Sequence, residues 1–303
     1  MRKAKPFIKW VGGKTQLISQ LEFYLPNDFK QWKNVTYIEP FIGGGAMFFH
    51  MLQNYPNIEH AVINDINPDL TTCYRVVRDN PDELMESLRY MQEAYYALQT
   101  DDGRKEFFLA ARDRYNTKQL DPIENTTLFF FLNRTCFNGL YRVNKKGLFN
   151  VPFGKYVHPQ IFDEEVIKDD SKLLQKVEIL TGDFEETFPY AKDKTLVYFD
   201  PPYRPLSNTS SFNDYAKEPF NDDAQIRLKE YCDRINQAGF HFMLSNSDCR
   251  GKNNDDCFFD DLYSEYRIER VWASRSVNSI PSKRGKLTEI LVHNYYVDNV
   301  YTA

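Results

Sequence analysis

Four short apolar runs in this chain stop in the same way, and that shared ending restricts the fold more than any other feature. TYIEPFIGGGA (36–46), HAVINDIN (60–67), VEILTGDF (177–184) and TLVYFDPP (195–202) each pass through strand-forming residues and break at glycine, aspartate or proline. Runs of this kind, separated by helical stretches, read as a parallel, doubly wound sheet of the α/β class. Ligands of such sheets gather at the carboxyl ends of the strands, so the break points are where chemistry is expected. HFMLSNSD (241–248) reads as a further strand with a polar tail, and KLTEILVHNYYV (286–297) as the terminal strand.

Between the two groups of strands the period changes. From about Pro68 to Thr127 it is helical, as in PDELMESLRYMQEAYYAL (81–98) and GRKEFFLAARDRYN (103–116). A mainly helical domain at 71–165, inserted into a catalytic domain built from 1–70 and 166–303, accounts for this order. GKNNDD (251–256) reads as a surface loop.

Composition removes several classes of function. The five cysteines (73, 136, 232, 249, 257) are scattered and never in CxxC spacing, and the five histidines show no HExxH. That usage fits a reducing cytoplasm and predicts neither a metal site nor a disulfide framework. MRKAKPFIKW has no apolar h-region, and no run is long and uncharged enough to span a membrane. A net charge of −5 speaks against a polyanionic partner, but its distribution speaks for one. Residues 1–21 carry Arg2, Lys3, Lys5, Lys9 and Lys14 without an acid. Residues 133–158 carry Arg134, Arg142, Lys145, Lys146 and Lys155, and 270–288 carry Arg270, Arg275, Lys283, Arg284 and Lys286. If these segments meet, they form a basic cleft on an acidic body.

Phe41-Ile42-Gly43-Gly44-Gly45 follows a strand and precedes the helical AMFFHML. Glycines there let a ligand approach the backbone at a helix N-terminus. Asp65, at the next strand end, is placed to accept hydrogen bonds from ribose hydroxyls. The pair suggests a nucleoside cofactor without separating a nicotinamide dinucleotide from S-adenosylmethionine. VGGKT (11–15) is only half of a phosphate-binding loop, because the position that needs the first glycine is Ile8.

Asp200-Pro201-Pro202-Tyr203 suits an exocyclic amine. The lone pair of such a nitrogen is delocalised into its ring. If the Asp200 carboxylate and the Pro201 carbonyl each accept one N–H, the nitrogen moves toward sp³ geometry and its lone pair points outward. It can then attack a sulfonium methyl in line, the alignment supplying much of the rate. Tyr203 can stack on the base once it leaves the duplex, and Pro202 stiffens the corner.

PFIKWVGGKTQL, YIEPFIGGGAMFF, NDINPDL, FLNRTCFNGLYRVN, FNVPFGKY, GDF, DPPYRPLS, LSNS and RGKLTEILVHNY follow one another nearly end to end. In these segments the sequence resembles the Dam-type DNA adenine-N6 methyltransferases of the α group, most of all the DpnII modification methylase branch. The resemblance implies a Rossmann-like, S-adenosylmethionine-dependent methyltransferase sheet with an inserted target-recognition domain. It implies double-stranded DNA as substrate, with GATC as the site. For the cofactor it implies Trp10 and Lys14 at the methionine portion, Phe41 and Gly43 beneath it, Asp65 at the ribose, and Asp183 and Phe184 at the adenine. Asp200 borders both cofactor and amine. For DNA it implies that Arg142 reads a guanine, that Phe137 wedges into the duplex, and that Leu140 and Pro152 meet thymine methyls. Asn138 and Lys9 would add base or edge contacts, while Arg134, Asn144 and Lys155 would hold phosphates. SVNSIPSKRGK (276–286) resembles a DNA-contacting loop.

A cytosine-N4 or RNA amino-methyltransferase shares the amine geometry, although neither explains FNGLYRVN. A cytosine-C5 enzyme is excluded in practice, since no proline here precedes a cysteine. A DNA-binding regulator that kept the fold without catalysis is the rival of another class. The expected state is a cytoplasmic monomer.

Overall fold

The computed structural model describes residues 4–204, 220–274 and 286–298. The four apolar runs do become strands: β1 (Val35–Glu39), β2 (Ile58–Asp65), β3 (Val177–Thr181) and β4 (Lys194–Phe199). With β5 (His241–Ser247), β6 (Arg267–Ser274) and β7 (Lys286–His293) they form one seven-stranded sheet of order β3-β2-β1-β4-β5-β7-β6. The pairs from β3 across to β5 are parallel, whereas β7 runs antiparallel to both β5 and β6. All five residues of β1 are buried, as expected of a strand covered on both faces. The chain builds outward from β1 in one direction and then from β4 in the other. Between them lies the switch point where ligands of this architecture bind.

Ten helices are described. α1 (Ile18–Phe23) precedes the sheet, and α2 (Ala46–Asn54) leaves the glycine loop. α3 (Pro68–Asp79) begins at Asn67, whose side chain accepts from the backbone N–H of Asp69 and Leu70, with proline in the first turn. α4 (Pro81–Tyr96), α5 (Asp101–Asn116) and α6 (Pro122–Thr135) form the helical block that the period predicts. Nine of the 14 residues of α6 are buried, so it is the central helix of that block. α7 (Glu164–Leu174) returns the chain to the sheet; α8 (Asp222–Gln237), α9 (Cys249–Lys252) and α10 (Phe258–Leu262) follow. α3 packs on β2 and β3 as well as on α6 and α7, so it serves the sheet layer and the helical block together.

Three features depart from the sequence reading. The terminal strand ends at His293 rather than at 297, and β6 was not anticipated. β6 is an edge strand whose Arg267, Glu269 and Arg270 interrupt the apolar pattern, while Val271 packs inward. Gly251 and Lys252 belong to α9, and the remainder of the expected 251–256 loop is irregular. Among the described residues no helix is long and apolar enough to cross a membrane, and no three metal-ligating side chains converge.

Candidate active site and nucleic-acid interface

β4 delivers Asp200 to the carboxyl edge of the sheet beside the polar tail of β5. That tail holds the corner group by group. Ser245 donates to Asp200 Oδ1 (3.2 Å), and Ser247 donates to the Arg204 carbonyl (3.2 Å). Between them Asn246 donates to Gln225 Oε1 (3.1 Å), and Gln225 Nε2 in turn donates to the Pro202 carbonyl (3.1 Å). Ser245, Asn246, Ser247 and Gln225 are all buried, where a polar group must find a partner. Arg204 anchors the exit of the corner through Asp222 (2.8 Å) and Asp256 (2.7 Å).

Among the described residues, Lys14 faces the Asp200 carboxylate. Lys14 Nζ lies 3.1 Å from Glu289 Oε2 and 3.4 Å from Asp200 Oδ1, and it also meets the Tyr203 hydroxyl. Tyr203 donates to the same Glu289 oxygen at 2.6 Å. Burial pushes the Asp200 carboxyl up to about 6; Lys14 opposes the rise and Glu289 adds to it. Glu39, at the end of β1, accepts from Tyr37 (2.6 Å). Burial raises its carboxyl well above the usual range. Lys14, expected at the methionine portion of the donor, is directed here at carboxylates of the protein itself. Glu289, Ser245, Asn246, Gln225 and Glu39 went unnamed at the level of sequence. The one available signal was LSNS, a strand ending in polar residues instead of at a turn.

The glycine loop lies against Trp10. Gly43 has φ +48°, and a Cβ there would meet Trp10 Cδ1 at 2.9 Å; Gly45 has φ +72°, with the Tyr74 hydroxyl 2.6 Å from its Cβ position. Asp65 accepts from the backbone N–H of Gly43 (3.2 Å) and of Asn67 (2.9 Å), tying the end of β2 to the loop after β1. Burial pushes its carboxyl up to about 6. Phe41 packs edge-on to Phe220 and tilted to Phe184, with centroids 5.6 Å and 5.4 Å away. Asp183 caps the turn that follows, accepting from the backbone N–H of Glu185 (3.0 Å), and pairs with Arg227.

The residues expected to touch DNA fall on a hairpin after α6. Val143 bridges Phe149 and Cys136 bridges Phe153, while Asn144 closes the tip by accepting from Lys146 (2.9 Å) and Leu148 (3.2 Å). Arg142 is exposed, its guanidinium resting on the Asn150 side chain (2.8 Å) and carbonyl (3.2 Å). Phe137 is 54% exposed on a tight turn in which Asn138 has φ 56°. Lys9, Asn138, Asn144, Pro152 and Lys155 are exposed as well, and Leu140 is half-buried. Asn133 joins the N-terminal segment to this turn by bonding the Lys9 N–H (2.8 Å), the Lys9 carbonyl (2.9 Å) and the Gly139 carbonyl (3.1 Å).

Arg134 departs from the expected pattern. It donates to the Phe7 carbonyl (2.9 Å), and burial lowers its pKa, so it pins the N-terminal segment instead of standing out toward a phosphate. Arg270 is also committed, to Asp260 (2.7 Å) and Asp248 (3.2 Å). Of the three basic segments, the first two meet at Lys9. The expected loop 276–286 lies outside the described residues up to Lys286, as do Arg275, Lys283 and Arg284.

A sheet of this order, with a glycine loop, an acid ending β2 and a DPPY corner on the same edge, defines an amino-methyltransferase. Residues 10–277 match the family described as D12 class N6 adenine-specific DNA methyltransferase. The chain is 47% identical to the Type II methyltransferase M.MjaIII of Methanocaldococcus jannaschii, over 97% of its own length and 100% of that protein. It is 38% identical to the Type II methyltransferase M1.LlaDCHI of Lactococcus lactis subsp. cremoris, over 96% and 95%. Against the DNA adenine methylase of Escherichia coli K12 identity is 30%, over 96% and 95%. The chain belongs to the D12 class, and it is a DNA methyltransferase acting on the N6 amine of adenine.

Proposed function

We propose that the methyl donor is S-adenosylmethionine and that the target is an adenine turned out of duplex DNA within GATC. When bound, this donor supplies a methyl group on a positively charged sulfur. The residues present fit such a group. The glycine loop stands where side chains would collide with Trp10 and Tyr74, and Asp65 ends the neighbouring strand. Trp10, Phe41, Gly43, Asp65, Asp183 and Phe184 would hold it at the edge shared by β1, β2 and β3.

Asp200 and the Pro201 carbonyl would each accept one N–H of the adenine amine, drawing its lone pair out of conjugation. Tyr203 would stack on the displaced ring. Bonding of that nitrogen to a sulfonium methyl, with the sulfur leaving as the neutral thioether, would release one proton from the amine, and Asp200 would accept it. The supporting observation is the adjacency of β4 and β1 in the sheet, which sets Asp200 beside the glycine loop. The GATC reading rests on the resemblance around Arg142.

Incubation with tritiated S-adenosylmethionine and duplex DNA, followed by modified-base sequencing, is expected to place label on adenine within GATC. Asp200→Ala should lower turnover by on the order of 10²-fold or more with specific DNA binding retained. Undiminished turnover in that variant overturns the amine-activation step. Label at another sequence overturns only the site.

A further inference from the structure

We infer that Glu289 is a positioning residue for methyl transfer: it holds the Lys14 ammonium and the Tyr203 hydroxyl to one side, leaving Asp200 an oxygen for the substrate amine. The inference rests on the reading of Asp200 as amine acceptor.

Lys14 is 7% exposed, and a cation so withdrawn from water needs a counter-charge. Two carboxylates are within reach, Glu289 at 3.1 Å and Asp200 at 3.4 Å. Glu289 takes the closer contact and also receives the Tyr203 hydroxyl. Asp200 meets Ser245 at 3.2 Å and Lys14 at 3.4 Å through the same oxygen, Oδ1, which turns Oδ2 to the substrate side. An ammonium drawn fully onto Asp200 would occupy the carboxylate and weaken it as an acceptor for an amine.

Strand register fixes Glu289 for this task. It sits in β7 between Ser247 of β5 and Val271 of β6, one residue past Thr288. Among the described residues the ionisable groups facing it are Lys14 from the N-terminal segment, Asp200 and Tyr203 from the corner and Tyr198 from β4, with Glu39 of β1 reaching the cluster through Asp200. Within this cluster Glu289 raises the Asp200 carboxyl and Lys14 lowers it.

Those opposite signs make the test. In Glu289→Gln the acid limb of the kcat profile should move to lower pH, with kcat about tenfold or more below the native value and the KM values for DNA and donor little changed. In Lys14→Met the limb should move to higher pH, and in the double variant it should return toward its native position. A purely structural role would lower thermal stability without that compensation. Native kcat with an unmoved limb in Glu289→Gln overturns the inference. Should that variant not fold, an unmoved limb in Lys14→Met overturns it equally. An inactive Asp200→Ala alongside an unaffected Glu289→Gln removes the role of Glu289 alone, whereas an active Asp200→Ala removes the amine-activation reading beneath it.

Discussion

Asp65, Asp170 and Asp200 carry the same side chain and are perturbed by the same force to different ends. Burial lifts Asp65 and Asp200 to about 6, and Asp170 to about 8. Asp170, on α7, is wholly enclosed and accepts the Lys5 N–H at 3.1 Å, which fastens the segment leading to Lys9 and Trp10. Its ordinary value is 3.8, so the folded protein grips this proton more tightly than the unfolded chain does. The stability it contributes is complete below 3.8 and is lost as pH rises through about 8. Asp170→Asn mimics the protonated acid. Thermal melts should show the variant gaining on the native protein across that window, with the advantage vanishing at the acid end; a constant difference at every pH would contradict this. For Asp200 the consequence is catalytic. The amine acceptor must be ionised, so turnover should fall as pH drops through about 6.

At the scale of elements, two pieces of chain form the site by leaning on neighbours distant in sequence. The DPPY corner owes its stiffness to its prolines and its placement to β5, where Ser245 and Ser247 meet it directly and Asn246 reaches it through Gln225. The hairpin after α6 is held at its base by Asn133, and beneath it Tyr141 stacks on Trp10 with centroids 5.5 Å apart. Arg142 rests on Asn150 at the hairpin's exposed side, and these two bonds fix where its guanidinium sits. Arg142→Ala should therefore relax discrimination at one guanine by about 1–3 kcal/mol. Competition between cognate duplex and duplex substituted at that base measures it, and unchanged selectivity would remove Arg142 as a reader.

At the scale of the molecule, an acidic chain presents exposed cations around the hairpin, Lys145 and Lys146 at its tip among them. The net charge of −5 gives no hint of this. Lys9 and Lys155 are exposed there, while Arg134 and Arg270 are absorbed by internal contacts. DNA affinity should accordingly fall steeply with salt. Lys155→Ala should weaken all sequences alike and reduce the slope of log affinity against log salt by about one. A sequence-selective loss from this variant would instead make Lys155 a base reader.

Local chemistry was legible in the chain because it is written in neighbouring residues. Strand runs ended by Gly, Asp or Pro, the helical period at 81–98 and 103–116, the glycine loop with Asp65, and the DPPY corner all depend on spacing alone. Three-dimensional packing decided what spacing cannot encode. Lys14 and Glu289 are 275 residues apart, and only the insertion of β7 between β5 and β6 brings them together. The fate of Arg134 turns on a carbonyl 127 residues away. β6 was hidden because an edge strand tolerates the charges that mask its pattern. A sequence fixes which groups are available, but partnership and burial belong to the folded chain, and these set the charge state and freedom on which the reaction depends.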